Sequence, residues 1–145
     1  MRHHTKHNHR LPHFTNWMNE VFSELDSNIG FNGANSVPQV NVSEFDDRFE
    51  LNLAAPGYDK ADFNLHQEKA SLTISAKKEA NEEAPENGKV LRREFHINGF
   101  NRKFTLPKTV DKDTIQATYT NGILTVKLPK KEEEKARPAR NIEIL

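Results

Sequence analysis

The chain has 145 residues, 34% hydrophobic and 29% charged, with no cysteine and with 21 Lys+Arg balanced by 21 Asp+Glu. This size allows one domain of ordinary dimensions with a modest core and polar extensions; the formal net charge of zero removes the basic excess of a general nucleic-acid binder, and the absence of Cys excludes disulfides, thiolate metal sites and a cysteine nucleophile. Weak long-range repulsion between neutral copies makes self-association easier, and with no apolar run able to span a bilayer or serve as a signal-peptide core, a soluble cytoplasmic protein without membrane partners is expected.

Met1 to Arg10 holds four of the seven histidines, with His13 just beyond. Clustered imidazoles can bind divalent metal, but no carboxylate or second cluster completes a shell. A disordered polar terminus or an added tag is the reading adopted, and no metal is assigned. Phe14, Trp17, Met18, Val21, Phe22 and Leu25 follow at spacings of three and four, with Asn19, Glu20 and Glu24 opposite. That is the apolar stripe of a short amphipathic helix over about 14–26. So short a helix is marginal alone in water and needs a partner for its stripe. It packs on its own domain, or it meets other subunits and unfolded polypeptide, where aromatic and Met side chains adapt to varied surfaces. The Asn/Gly/Ser stretch from Asn28 to Ser36 reads as a linker and favours the second reading. The acidic polar face argues against a membrane helix. Residues 1–36 are thus expected to form an arm.

From Val37 to Leu128 the chain reads as strands separated by turn signals at the spacing of a β-sandwich. Val40 and Val42 mark a short strand. Phe49, Leu51, Leu53 and Ala55 alternate with polar or small neighbours. Ala-Pro-Gly-Tyr at Ala55–Tyr58 fits a type II turn, Pro fixing φ at its second position and Gly supplying positive φ at its third. Phe63 with Leu65, then Leu72, Ile74 and Ala76, give two more strands. Between Ala76 and Phe100 lies a long excursion rich in Glu, Lys, Asn and Gly, within which Lys89–Phe95 has strand character of its own. A strand on such an excursion can pair with an exposed edge, including that of another subunit.

In Phe100–Pro107, Phe100, Arg102, Phe104 and Leu106 fall on one face. A guanidinium among apolar neighbours must be paired or reach water at a boundary, because burying it alone is very costly. The face is either solvated, or Arg102 sits at an interface with carboxylates across a dimer seam; the interface is preferred. Asn121-Gly122 is a strong hairpin signal. Ile115, Ala117 and Tyr119 alternate before it and Leu124, Val126 and Leu128 after it, which predicts an antiparallel hairpin with one buried face. Pro129 cannot donate to a ladder and ends the second strand. The domain is therefore expected over 37–129, and residues 130–145 as a Lys/Glu-rich flexible extension. In its final stretch Ile142 and Ile144 point the same way if extended, two knobs suited to adding beside a sheet edge, unless the terminus is simply frayed.

Together these residues resemble the small heat-shock protein family, whose shared unit is the α-crystallin domain. Ala117, Asn121, Gly122, Ile123 and Leu124 match the family's hallmark hairpin, and Phe100–Phe104 with Leu106-Pro107 resembles its strand bearing an interface arginine. Ala55-Pro56-Gly57 is similar to the early Pro-Gly turn, and Ile142-Glu143-Ile144 to the C-terminal Ile-x-Ile/Val anchor. The resemblance implies an all-β, immunoglobulin-like antiparallel sandwich and an ATP-independent chaperone, a holdase, that dimerises and assembles further. The long excursion resembles the bacterial and plant form, so Val90, Leu91, Arg93 and Glu94 would cross to the strand around Gln39–Val42 of a neighbour, with Val40 and Val42 in the seam. The anchor would enter a groove between Phe63–Leu65 and Ile115–Ala117 of another dimer. Partners would be other copies of the chain and unfolding client proteins, the latter met by the arm's stripe.

No phosphate-cradling Gly-x-x-x-x-Gly-Lys loop occurs, and no cofactor is assigned. A co-chaperone that docks one folded partner through the same sandwich is a rival; it predicts a monomer. An enzyme is disfavoured, since no Ser-His-Asp order, His-Glu-x-x-His or paired-carboxylate motif stands out, and His66 and His96 are isolated, expected on the surface rather than as bases.

Overall fold

The computed structural model describes residues 37–78, 84–135 and 139–145. The arm helix expected over 14–26, with Phe14, Trp17, Met18, Val21, Phe22 and Leu25, the linker, and the histidines from His3 to His13 lie outside the described residues. What is described contains strands β1 (Val40–Glu44), β2 (Arg48–Ala54), β3 (Phe63–Glu68), β4 (Ser71–Ala76), β5 (Phe100–Thr105), β6 (Gln116–Thr120) and β7 (Ile123–Pro129). They form a four-stranded sheet in the order β1-β2-β7-β6 and a three-stranded sheet in the order β3-β4-β5, with every pairing antiparallel.

Alternation along each central strand builds the core. Phe49, Leu51 and Leu53 of β2 stand opposite Leu128, Val126 and Leu124 of β7, and all six are buried. From the other sheet come Leu72, Ile74 and Ala76 of β4 with Phe100 and Phe104 of β5; Leu106 and Val110, beyond β5, are buried in the same core. The outward positions between them are polar or charged, for instance Glu50 and Asn52 on β2. Leu51 is wholly buried where β2 meets β7, so Leu51→Ala is expected to cost about 2–5 kcal/mol. Urea unfolding at fixed protomer concentration measures it, and a change within error would contradict this view of the core.

The turns follow from residue chemistry. Asn121 (φ 52) and Gly122 (φ 75) both adopt positive φ, the pattern of a two-residue type I′ hairpin turn joining the paired Thr120 and Ile123. Gly57 (φ 85) supplies the positive φ expected after Pro56.

The structure corrects two local readings. The hairpin's two arms are not equally buried: Leu124, Val126 and Leu128 are, but Ile115 and Tyr119 are half-buried and Ala117 is exposed. The cause is position, since β6 is the last strand of its sheet and β7 the second. Within this single chain, Lys89–Phe95 is also not a strand, because no free edge of its own chain pairs with it. Beyond Pro129 the chain holds to the sandwich a little further. Lys130 bridges to Val110, its backbone N–H donates to the Asp47 carbonyl at 2.8 Å, and its ammonium meets Glu44 at 2.8 Å above the Phe49 ring.

Candidate assembly site

A sandwich of two open sheets has two seams, and both carry the residues singled out above. At the first, the edge strand β3 faces the edge strand β6, and the Phe63 and Tyr119 rings lie 4.8 Å apart. Phe63 pairs with Ala76 and Leu65 with Ile74, both inward-facing and buried, so Phe63 and Leu65 also face inward. Likewise Ala117 stands opposite the buried Val126. Yet Phe63, Leu65 and Ile115 are only half-buried and Ala117 is exposed. Interior-facing apolar side chains are thus left partly uncovered on both strands beside this seam, Phe63 and Leu65 on β3 and Ala117 on β6, with Ile115 just before β6. Tyr119 belongs to this seam as well; its hydroxyl donates to the Ala55 carbonyl at 2.6 Å, which fixes the ring beside Phe63. The alternation around Asn121-Gly122 already placed Tyr119 on this face, though nothing local marked it as a wall.

At the second seam lies Arg102, only 7% exposed. Strand alternation forces it inward between Phe100 and Phe104, and its guanidinium carbon is 5.2 Å from the centre of the Phe104 ring. One terminal N–H donates to the backbone carbonyl of Pro38, 64 residues away in sequence, while the buried Nε meets no acceptor among the described residues. Burial holds the guanidinium below its ordinary pKa. No salt bridge of Arg102 with a carboxylate occurs among the described residues. The described residues thus give Arg102 no carboxylate partner, and it instead ties β5 to the segment entering β1. A backbone carbonyl so distant in sequence leaves no local signal.

The edge of β1, with half-buried Val40 and Val42, is open on the side away from β2. On the excursion, Leu91 is 87% and Phe95 78% exposed, Val90 is exposed too, and Arg93 and Glu94 point to solvent. Ile142 and Ile144 are 81% and 98% exposed, so neither packs on the described residues. His66 and His96 are exposed. Among the described residues, no group of His, Cys, Asp and Glu is arranged to hold a metal, and no helix is long and apolar enough to cross a membrane.

Fold and seams define the class: an antiparallel, immunoglobulin-like β-sandwich whose edge strands leave apolar, inward-facing residues uncovered. The model of the Hsp20/alpha crystallin family matches residues 41–145. The chain belongs to that family, the small heat-shock proteins, which are chaperones of the stress response. It is 29% identical over 138 residues to small heat shock protein C4 of Rickettsia felis, covering 94% of this chain and 83% of that one. To heat shock protein 16 of Schizosaccharomyces pombe it is 34% identical over 103 residues, covering 69% and 71%. Among solved structures, a small heat-shock protein from Xylella fastidiosa, described as revealing a distinct high order structure, superposes with a TM-score of 0.58 at 29% identity, covering 77% of this chain and 98% of that one.

Proposed function

We propose that this protein is an ATP-independent holdase, a dynamic homo-oligomer of strand-swapped dimers that captures unfolding proteins and prevents their aggregation. One observation carries the reading: inward-facing Phe63, Leu65 and Ala117, with Ile115, are left partly uncovered beside the seam of β3 and β6, while Ile142 and Ile144 are exposed among the described residues. A strand added beside a sheet edge gains main-chain hydrogen bonds for affinity and side-chain pockets for specificity. Docking of the Ile142–Ile144 segment into another dimer's groove meets both needs at once. In the dimer, Val90, Leu91, Arg93 and Glu94 pair with the open β1 edge at Val40 and Val42 of the other copy, and Arg102 lies in the seam so formed. This division follows the expected domain limits, with an arm over 1–36, the sandwich over 37–129 and the anchor-bearing extension over 130–145.

Reversible release of such contacts under stress exposes the groove and the arm's stripe to clients. Burial of each large apolar side chain of the arm is worth about 1.5–3 kcal/mol, enough for weak multivalent capture without nucleotide. Light scattering of a heat-labile enzyme, with and without this protein and with no ATP, tests the proposal. Suppressed aggregation at equimolar protein is expected; an unchanged aggregation curve would defeat the holdase reading.

A further inference from the structure

The connection between β4 and β5 leaves the sandwich at Ala76 and returns at Phe100, residues paired across the ladder. Its two feet therefore stand side by side at one end of the three-stranded sheet. Gly99 marks their close passage: a Cβ there would lie 2.9 Å from the Ala76 carbonyl oxygen. Both feet are gripped by one short segment, Gly57–Asp62, formed by the Pro-Gly turn and the 3-10 turn Lys60–Asp62.

On the outgoing foot, the Lys77 N–H donates to the Asp62 carbonyl at 3.1 Å, and the Lys78 ammonium lies 3.3 Å from the Asp62 carboxylate and 3.8 Å from that of Asp59. The Asp62 carboxylate is fixed beforehand, since it accepts the Asp59 N–H at 2.7 Å in a capping box. That backbone bond, with Lys78 adding to it, holds its carboxyl below the ordinary range. On the returning foot, the Tyr58 hydroxyl donates to the Asn98 carbonyl. The Tyr58 ring is held edge-on to Phe100 at 5.7 Å and against Phe63 at 5.5 Å. Beside it, the Ile97 side chain occupies the space a Cβ on Gly57 would need, and the positive φ of 85° there favours Gly as well. Residues 84–96, by contrast, are exposed throughout.

We infer that Gly57–Asp62 is a clasp that sets where this connection leaves the sandwich and how it presents Val90, Leu91 and Phe95, with Tyr58 and Asp62 as positioning residues, one for each foot. The consequence for assembly rests on the strand-swap reading above; the clasp itself does not. A swapped segment docks productively only if its root delivers it in a narrow range of directions, and fixing the root in advance lowers the ordering cost of docking. The groups that do this are the Tyr58 hydroxyl and the Asp62 carboxylate, so they can be altered while the Tyr58 ring keeps its packing on the core and the sandwich stays intact. The net worth of one such bond corresponds to about a two- to tenfold change in the population of a released foot.

The absence of cysteine allows single spin labels in the full chain. Labels at His96→Cys and Lys77→Cys report the two feet, and one at Lys103→Cys on the outward face of β5 reports the sandwich. Tyr58→Phe keeps the ring and removes only the donor. Asp62→Asn keeps an acceptor for the Asp59 N–H and removes the charge facing Lys78. Tyr58→Phe is expected to shorten the correlation time of the His96→Cys label at least about twofold, and Asp62→Asn that of the Lys77→Cys label, with the Lys103→Cys label unmoved. Unchanged foot labels in the double variant would overturn the clasp, as would equal loosening of all three sites. Native mass spectrometry of mixed labelled and unlabelled protein then separates the two ideas. If the feet are freed, faster subunit exchange supports clasp and swap together, whereas a parental exchange rate leaves the clasp standing and removes the swap.

Discussion

Replacing Ile142 and Ile144 together by Ala is expected to reduce the assembly to dimers. Both side chains are almost fully exposed on their own chain, so their removal leaves the sandwich core untouched and acts only on what they bind. Docked beside β3 and β6, each Ile loses water-exposed apolar surface worth about 1.5–3 kcal/mol, so an anchor forfeits about 3–6 kcal/mol at most. That is roughly two to four powers of ten in affinity for each contact, far more than a multivalent assembly can absorb when every anchor is lost together. Native mass spectrometry of the double variant reads the outcome directly. A mass equal to that of the parent would show that the groove along Phe63, Leu65, Ile115 and Ala117 is filled by something else. The complementary change, Ala117→Glu, places a carboxylate at the exposed, inward-facing position of β6 and is expected to give the same dimers with the anchor intact.

The second large effect is expected at Arg102. Its guanidinium carries five N–H donors; the Pro38 carbonyl takes one, and the buried Nε has no acceptor among the described residues. On the strand-swap reading proposed above, the approach of a second copy at the open β1 edge gives this guanidinium a further acceptor. Truncating one side of a buried, charge-assisted contact between chains costs about 2–5 kcal/mol, or roughly 30- to 5,000-fold in dimer dissociation. Arg102→Ala also strands the Pro38 carbonyl inside one chain, a loss of about 1–3 kcal/mol in fold stability. Arg102→Met refills the space beside Phe104 without the charge but, like Ala, removes the donor to Pro38, so urea unfolding of both variants measures the loss within the chain separately from dimer dissociation. In a background carrying Ile142→Ala and Ile144→Ala, a dilution series by analytical ultracentrifugation is expected to show both Arg102 variants dissociating at higher concentration than the parent. A dimer of parental strength in both would place Arg102 within the fold alone.

Features that repeat or turn locally were legible in the chain alone. Period-two alternation in Phe49–Leu53, Leu72–Ala76 and Leu124–Leu128 dictated the central strands, because a strand buried on one face requires an apolar residue at every second position. Asn121-Gly122 and Pro56-Gly57 dictated turns, because few residues other than Gly and Asn accept positive φ at low cost. Even the anomaly of Arg102 on an apolar face was legible from spacing alone. Packing alone fixed which of these strands stand at the edges, and with that which inward-facing residues stay uncovered. Ala117 and Val126 look equally suited to a core in the sequence; one is exposed and the other buried because β6 ends its sheet and β7 does not. It also decided the non-local partners: the Pro38 carbonyl for Arg102, Glu44 for Lys130, and the Gly57–Asp62 segment that grips both feet of the long connection. Such pairings join groups 16 to 86 residues apart through backbone atoms and single charges, which carry no periodicity, so only the packed chain reveals them.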